Sequence, residues 1–304
     1  MELDDVRAFV SVVDKGSVSR AARDLYITQS AVTRRLQRLE TSLGTTLLDR
    51  RSRPIALTGA GHCALERCRR LLSDVREVHA AVSGVGEPTG ELRIGVAHAL
   101  TEMTLTEPVD AVRRDFPKTV LRLQTGWSLD LLERVRSGAL DASVILLPAG
   151  ESLPPGLTGQ IDGKERLVVV APRLGNRRRI QAISDLSGVQ WILTPEGCAE
   201  RARLRKSLQR AGVEMSVSVE TYNYELQLSL VARNCGLSLV PERVLNRSKF
   251  RSRLRILRVA GLEFPLTIWT VHRLPLTGFE PVMAELNRVL TLRLNEAKPP
   301  SCAE

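Results

Sequence analysis

Apolar residues recur with a helical period over the first eighty or so positions, then fall mostly into short runs bounded by Gly, Pro and polar residues. Leu3, Val6, Phe9, Val10 and Val13 share one face that ends at Gly16. Ser17 stands where it can cap a short second helix carrying Ala21, Ala22 and Leu25, whose small alanines let two helices cross closely. Thr28 then caps a third helix. There Val32, Leu36, Leu39 and Leu43 are spaced four, three and four, which predicts a buried stripe. Gln29, Ser30, Thr33, Arg34 and Gln37 fall on the other side. Those side chains hydrogen-bond base edges and phosphates in a major groove.

Two short helices joined by a tight turn, the second polar and basic at its front, predict a helix-turn-helix. After it, Leu47-Leu48 and Ile55–Leu57 can pair as a hairpin, a wing whose tip carries Arg50, Arg51 and Arg53 beside Pro54. These three, with Arg35 and Arg38, are expected to hold phosphates. From Thr28 to Arg53, Arg34, Arg35, Arg38, Arg50, Arg51 and Arg53 stand against only Glu40 and Asp49. An ordinary three-helix core with a solvated basic face is the plainer alternative. The cap, the alanines, the polar front and the arginine loop together argue against it.

The chain here resembles the LysR-type transcriptional regulators. The resemblance is carried by Ala21-Ala22-x-x-Leu25, Thr28-Gln29-Ser30-Ala31-Val32-Thr33-Arg34, Leu39-Glu40-x-x-Leu43-Gly44, Leu47-Leu48-x-Arg50 and Leu57-Thr58-x-x-Gly61. Leu48 stands where the family usually has Phe, which keeps an apolar plug. Gly138-Ala139-Leu140-Asp141 and the run from Asn234 to Pro241 extend the match into the second half. Asn234 replaces a customary Gly, and Asn is the residue that best tolerates the same left-handed backbone.

From position 59 a single long segment runs to the Gly84-Val85-Gly86 linker, with Ala64, Cys68, Leu71, Val75, Val78 and Val82 at heptad spacing. This predicts a helix that pairs with a second copy, in preference to one packed on its own domain. Beyond the linker, strand-like and helix-like segments alternate. Leu92–Val96, Val120–Leu123, Ala142–Leu147, Leu167–Val170, Trp191–Leu193, Val217–Val219, Leu237–Val240 and Leu266–Val271 read as strands. Helices at 105–116, 129–137, 201–209, 226–234 and 281–294 complete the βαβ rhythm of a parallel sheet. The fold class is therefore α/β, with a mainly α winged helix-turn-helix in front. The resemblance implies a linker helix and a bilobed effector domain like that of periplasmic binding proteins. Residues 1–58 form the DNA-binding domain, 59–87 the linker and hinge, 88–296 the effector domain and 297–304 a tail. Lobe one takes 91–160 and 266–296, lobe two 161–265, with crossings near 159–163 and 260–265.

In open α/β sheets ligands sit beyond the carboxyl ends of strands, at a crevice. The candidate wall is His98, Ala99 and Thr101; Gly126, Trp127 and Ser128; Pro148; Gly197, Cys198 and Arg201; and Asn223. Where the family often has Ser or Thr this chain has His98, and a bulky Trp127 narrows the cleft. His98 reads equally well as a solvent-touching loop residue, and Trp127 as a lobe-packing one. A ligand-independent or architectural DNA binder with a vestigial cleft is the alternative function.

Composition narrows the rest. The 304 residues carry net charge +10, which favours a polyanionic partner. The basic runs Arg177-Arg178-Arg179 and Arg243–Arg258 read as solvated surface, with DNA wrapping or an acidic partner left open. No apolar run approaches twenty residues and no secretory leader is seen, so a cytoplasmic protein without a membrane span is expected. Cys63, Cys68, Cys198, Cys235 and Cys302 lack C-x-x-C spacing and read as reduced thiols. A redox pair of Cys198 and Cys235, as in the family's oxidant-sensing branch, is the lesser reading. No metal, no cofactor and no catalytic constellation is expected. The expected partners are double-stranded DNA, a small-molecule effector and a second copy of the chain, as homodimer or homotetramer through the linker helix. RNA polymerase is a further partner that a regulator of this kind implies.

Overall fold

The computed structural model describes residues 1–49, 52, 55–82, 87–101, 105–173, 180–274, 276 and 278–296. It divides into two compact units: residues 1–86 grouped with 136–140 and 275–278, and the remainder.

The first unit is helical. α1 (Leu3–Lys15), α2 (Val18–Asp24) and α3 (Gln29–Leu43) precede the two-stranded hairpin of β1 (Leu48–Asp49) and β2 (Ala56–Leu57), and α4 (Gly59–Val82) follows. Val6, Phe9, Val12, Ala21, Ala22, Val32, Leu36 and Leu39 form one buried core, as the periodicity predicts. Leu43 does not join it. At 43% exposure it ends the stripe one residue before Gly44 turns the chain left-handed. Thr28 caps α3 through its hydroxyl oxygen, 3.2 Å from the Ala31 N–H. Ser17 holds the cap position of α2 but makes no side-chain capping bond.

The motif residues after α3 build the wing. The Glu40 carboxylate accepts the N–H groups of Leu47 (2.8 Å) and Leu48 (3.4 Å), tying the wing to α3. The Thr58 hydroxyl donates to the Thr46 carbonyl (2.8 Å) and accepts the Gly61 N–H (2.9 Å), which starts α4. A Cβ at Gly61 would lie 2.0 Å from the Leu47 carbonyl oxygen, so only glycine fits. The predicted seam on α4 divides. Leu65 and Cys68 are buried in the domain's own core, with Ala64 and Leu71 packed against it. Val78 is 63% exposed. The first half of the seam thus packs within its own chain, because the domain core needs a lid and α4 supplies it.

In the second unit the elements follow in order: β3 (Gly90–Ala97), α5 (His98–Thr101), α6 (Thr106–Asp115), β4 (Thr119–Gly126), α7 (Ser128–Arg136), β5 (Ala142–Pro148), β6 (Thr158–Pro172), β7 (Gln190–Leu193), α8 (Ala199–Arg210), β8 (Ser216–Glu220), α9 (Tyr224–Val231), β9 (Leu237–Pro241), α10 (Glu242–Arg247), β10 (Leu254–Leu257), β11 (Phe264–His272) and α11 (Glu280–Glu296). Among the described residues these strands make one sheet in the order β4-β3-β5-β11-β6-β9-β7-β8, with β10 also on β6. Each lobe has the expected parallel core, β3 between β4 and β5 and β7 between β8 and β9. The long strands β6 and β11 run antiparallel to each other and carry the chain between lobes. An all-parallel reading missed this because the first half of β6 is polar and mostly exposed. The expected crossing near 159–163 is therefore continuous strand. α10 and β10 lie inside what the sequence shows only as a basic run. Asn234 has φ 65, the left-handed backbone expected of it.

Candidate nucleic-acid interface and ligand cleft

On α3 the side chains divide by face. Val32, Leu36 and Leu39 are buried, and Gln29, Ser30, Arg34 and Gln37 are exposed. The Thr33 hydroxyl donates to the Gln29 carbonyl (3.0 Å), and the Thr28 and Ser30 hydroxyls lie 3.0 Å apart. Among the described residues no hydrogen bond or ion pair engages the side chains of Gln29, Arg34 or Gln37. A row of unengaged donors and acceptors on one helix face is what a duplex can satisfy.

Arg35 and Arg38 differ. Arg35 lies 2.7 Å from Asp4. The Arg38 Nε donates to both oxygens of Asp5, at 2.9 and 3.0 Å, and its Nη2 also reaches Glu2 at 2.9 Å. Asp5 is fully buried. Burial pushes its carboxyl up, but the Arg38 hydrogen bonds and charge outweigh this and hold it below the usual range. These two arginines fasten α3 to the start of α1, which alters the phosphate-holding role expected of them. At the wing tip, Ser52 donates to Asp49 (2.9 Å); Arg50, Arg51 and Arg53 lie outside the described residues.

Sequence reasoning passed over Tyr26. It stands in the turn between α2 and α3 with φ 54 and 96% of its surface exposed. A non-glycine residue in that conformation is uncommon. The signal was the position itself, in the tight turn just before the capping Thr28.

The cleft lies within the second unit. His98, Ala99, Gly126, Trp127, Ser128, Gly197, Cys198 and Arg201 line it, as the loop argument expects. Thr101, Pro148 and Asn223 do not. Thr101 is exposed at the end of α5, Pro148 closes β5, and the Asn223 side chain caps α9 by accepting the Leu226 N–H (2.8 Å). Sequence reasoning left out the apolar floor of Leu146, Leu167, Leu193, Leu239 and Leu266, and also Tyr224 and Glu200. The leucines sit inside strands, where nothing in the sequence separates a cleft floor from core.

Three rings meet across the cleft. His98 and Trp127 come from lobe one and Tyr222 from lobe two, with centroids 4.9 Å (His98–Trp127), 4.8 Å (His98–Tyr222) and 5.6 Å (Trp127–Tyr222) apart. Trp127 also lies on Gly197, where a Cβ would come 2.5 Å from the indole nitrogen. The cleft as it stands offers about 40 Å³, room for only a few water molecules. Burial holds the His98 imidazole below its ordinary pKa, so it is the neutral form that packs there.

The charged wall is largely self-satisfied. The Arg201 side chain is 5% exposed. It donates to the Thr194 carbonyl (2.7 Å) and Glu220 (2.7 Å), and pairs with Glu196 (2.9 Å). Its buried Nε has no hydrogen-bond partner. The Cys198 thiol donates to Glu200 (3.3 Å), and burial, then the Glu200 charge, push its pKa up to about 11. Such a thiol is a poor nucleophile at neutral pH, which weighs against the redox reading. Cys235 is exposed, and Cys302 is outside the described residues. Among the described residues no three His, Cys, Asp or Glu side chains gather as metal ligands would. No helix there is long and apolar enough to cross a membrane.

A winged helix-turn-helix with an exposed polar face on α3, followed by a two-lobed α/β unit with a cleft between its lobes, defines a ligand-responsive DNA-binding regulator as a class. Residues 3–62 match the family model for the bacterial regulatory helix-turn-helix protein, lysR family, and residues 86–274 match that for the LysR substrate binding domain. The chain belongs to the LysR family of DNA-binding transcriptional regulators. The HTH-type transcriptional regulator CzcR of Bacillus anthracis is 31% identical over 243 residues, 80% of this chain and 81% of CzcR. A full-length OxyR variant from Pseudomonas aeruginosa shares the fold at 18% identity and TM-score 0.73, covering 96% of this chain and 95% of OxyR. Full-length CbnR complexed with its target DNA is 23% identical with TM-score 0.57, over 96% of this chain and all of CbnR.

Proposed function

We propose that Gln29, Ser30, Thr33, Arg34 and Gln37 read or orient on the major groove, that Arg50, Arg51 and Arg53 hold phosphates, and that a small effector bound in the cleft sets the regulatory state. The observation that carries this reading is the contrast between an α3 face with unengaged donors and a cleft wall whose charged groups, Arg201 with Glu196 and Glu220, are paired with one another. The effector enters by parting Trp127 from Tyr222 and Gly197, because the cleft as it stands has room for little more than water. Thr194, Ser128 and the Arg201 Nε lie at the cleft wall to meet its polar groups, and the leucines its apolar body. Ring separation changes how the lobes meet, and a ligand shifts that equilibrium only through its differential affinity for the two arrangements. The second half of α4, where Val78 is exposed, pairs with a second copy, so that two reading helices meet two half-sites.

The small size of the cleft favours one competing reading, a regulator whose cleft no longer takes a ligand. One experiment separates them. Genomic fragments are selected on the purified full chain, and the best site is footprinted with and without a metabolite panel. A discrete, partly palindromic site whose footprint changes with one metabolite supports the effector reading. A discrete site indifferent to every metabolite supports the vestigial cleft. Arg34→Ala should weaken binding to that site by about 10- to 100-fold, the equivalent of one lost bidentate base contact, with little change on random DNA. Equal losses on both would remove Arg34 from base reading.

A further inference from the structure

Three segments of lobe two that hold no acidic residue come together. Residues 166–173, 226–241 and 243–262 contain no Asp or Glu. The fold makes them neighbours. β10 pairs antiparallel with the end of β6, Leu254 opposite Pro172 and Arg255 opposite Ala171. The Arg173 N–H donates to the Arg253 carbonyl (2.8 Å). The Arg253 guanidinium donates to the Ala232 carbonyl (3.1 Å), next to Arg233. The Arg255 Nε donates to the Pro172 carbonyl (3.3 Å), and the Arg251 Nη1 to the Leu254 carbonyl (3.3 Å). Lys249 lies over the Phe250 ring, 5.3 Å from its centroid.

Arg173, Arg233, Lys249, Arg251 and Arg253 are exposed, and Arg255 is half-buried. Among the described residues none of these six forms an ion pair. Glu242, which separates two of the segments in sequence, is paired with Arg166. The guanidinium bonds of Arg251, Arg253 and Arg255 go to backbone carbonyls and, from the Arg251 Nε, to the Asn246 amide oxygen (3.3 Å), neutral acceptors that leave the charge unneutralised. Cations on an edge strand also prevent strand pairing. One or two would serve that purpose, whereas this field is assembled from three separate segments.

We propose that this edge of lobe two is a second binding surface for the phosphate backbone of duplex DNA, distinct from the recognition helix and indifferent to base sequence. Elsewhere on the unit, arginines such as Arg93, Arg122 and Arg201 are matched to acids. An unmatched cluster therefore calls for an external polyanion. In a DNA-binding regulator, duplex is the polyanion at hand. Once the recognition helices are docked, flanking DNA reaches high effective concentration near the rest of the chain. The cations stand on three separate segments, as suits successive phosphates better than one small anion.

The test uses the full chain and a fluorescently labelled random-sequence duplex of about 60 base pairs, well beyond one helix-turn-helix site, titrated by anisotropy over a series of KCl concentrations. One variant combines Arg173→Gln, Arg233→Gln, Lys249→Gln and Arg253→Gln. A second combines Arg173→Lys, Arg233→Lys and Arg253→Lys. The glutamine variant should lose roughly 2 to 4 from the slope of log affinity against log salt, at about 0.9 per phosphate contact. At about 100 mM salt it should bind at least tenfold more weakly. The lysine variant should keep the slope. An unchanged slope and affinity in the glutamine variant overturn the proposal, including the case in which the patch serves an acidic protein. An equal loss in the lysine variant also overturns it, by tracing the effect to disturbed packing.

Discussion

The two units use arginine in opposite ways. On α3, Arg34 points outward unengaged while Arg38 grips the buried Asp5 with its Nε. In the second unit, Arg243 is itself buried. It gives Nη1 to the Leu294 carbonyl (2.6 Å) and Nη2 to the Lys164 carbonyl (3.0 Å), and meets the buried Glu165 only through Nε, at 3.3 Å. The carboxyls respond accordingly. Asp5 is held low, whereas burial drives Glu165 up to about 7, with Arg243 opposing it too weakly to prevail. Residue type alone does not set protonation; the geometry of the partner does. A reading surface can leave its donors to water until DNA arrives. A buried wall cannot, because an unpaired polar group there costs about 1–3 kcal/mol.

The largest effect expected bears on whether the units stand independently. Gly61→Ala forces a Cβ against the Leu47 carbonyl and the Leu57 side chain, backbone and core that have no room to move. It should destabilise the first unit by about 3–4 kcal/mol and abolish DNA binding. Trp127, Trp191 and Trp269 all belong to the second unit. Their fluorescence transition in urea should therefore stay within about 0.5 kcal/mol of the parent, while helical circular dichroism shows early loss. A shifted tryptophan transition would show that the units fold as one.

The next sharpens the contrast between Asp5 and Glu165. Glu165 has a folded pKa above its ordinary value of 4.5. Between pH 4.5 and about 7 the folded state holds the extra proton, so stability falls as pH rises through that window. The loss should approach about 2–3 kcal/mol in the second unit. Asp162 is also raised by burial, against hydrogen bonds from Gln160, Thr270 and Thr291, and adds with the same sign. His98, held low, acts the other way: its contribution grows as pH rises toward 6.5. The informative quantity is therefore the difference between the parent and Glu165→Gln, measured by urea unfolding at pH 5 and pH 7.5. The variant should gain on the parent as pH rises. No change in that difference would mean that Glu165 is ionised throughout.

Legibility in the sequence follows the same division. The helix-turn-helix could be read because each motif residue has a local task. Thr28 caps, Val32 and Leu36 face inward, Glu40 anchors the wing, and Gly61 fits where nothing else can. The exposed polar face of α3 followed from helical period alone. The partners of Arg35 and Arg38 could not be read, because Asp4 and Asp5 are more than thirty residues away and charge patterning along one helix cannot see a second. In the second unit the parallel lobe cores announced themselves as apolar runs. The polar start of β6 did not, since its buried Asp162 is satisfied by Thr270 and Thr291 from distant elements. The cleft was found at loops and missed at its leucine floor, where a strand residue facing a cavity looks the same as one facing a helix.

The smallest effect concerns the turn that presents α3. Tyr26 adopts a left-handed backbone with its ring almost wholly in solvent, so replacing it forfeits little packing. The conformation disfavours a tyrosine, and Asn tolerates it better. Tyr26→Asn should therefore stabilise the first unit by about 0.5–1 kcal/mol, read as a higher midpoint for loss of helical circular dichroism. Its effect on DNA then decides what the strain is for. If the stabilised variant binds operator as well as the parent, Tyr26 is a tolerated imperfection. If it is more stable yet binds several-fold more weakly on operator and random DNA alike, the phenol contacts the phosphate backbone beside the recognition helix, and strain at this turn is retained for contact, as at other functional sites.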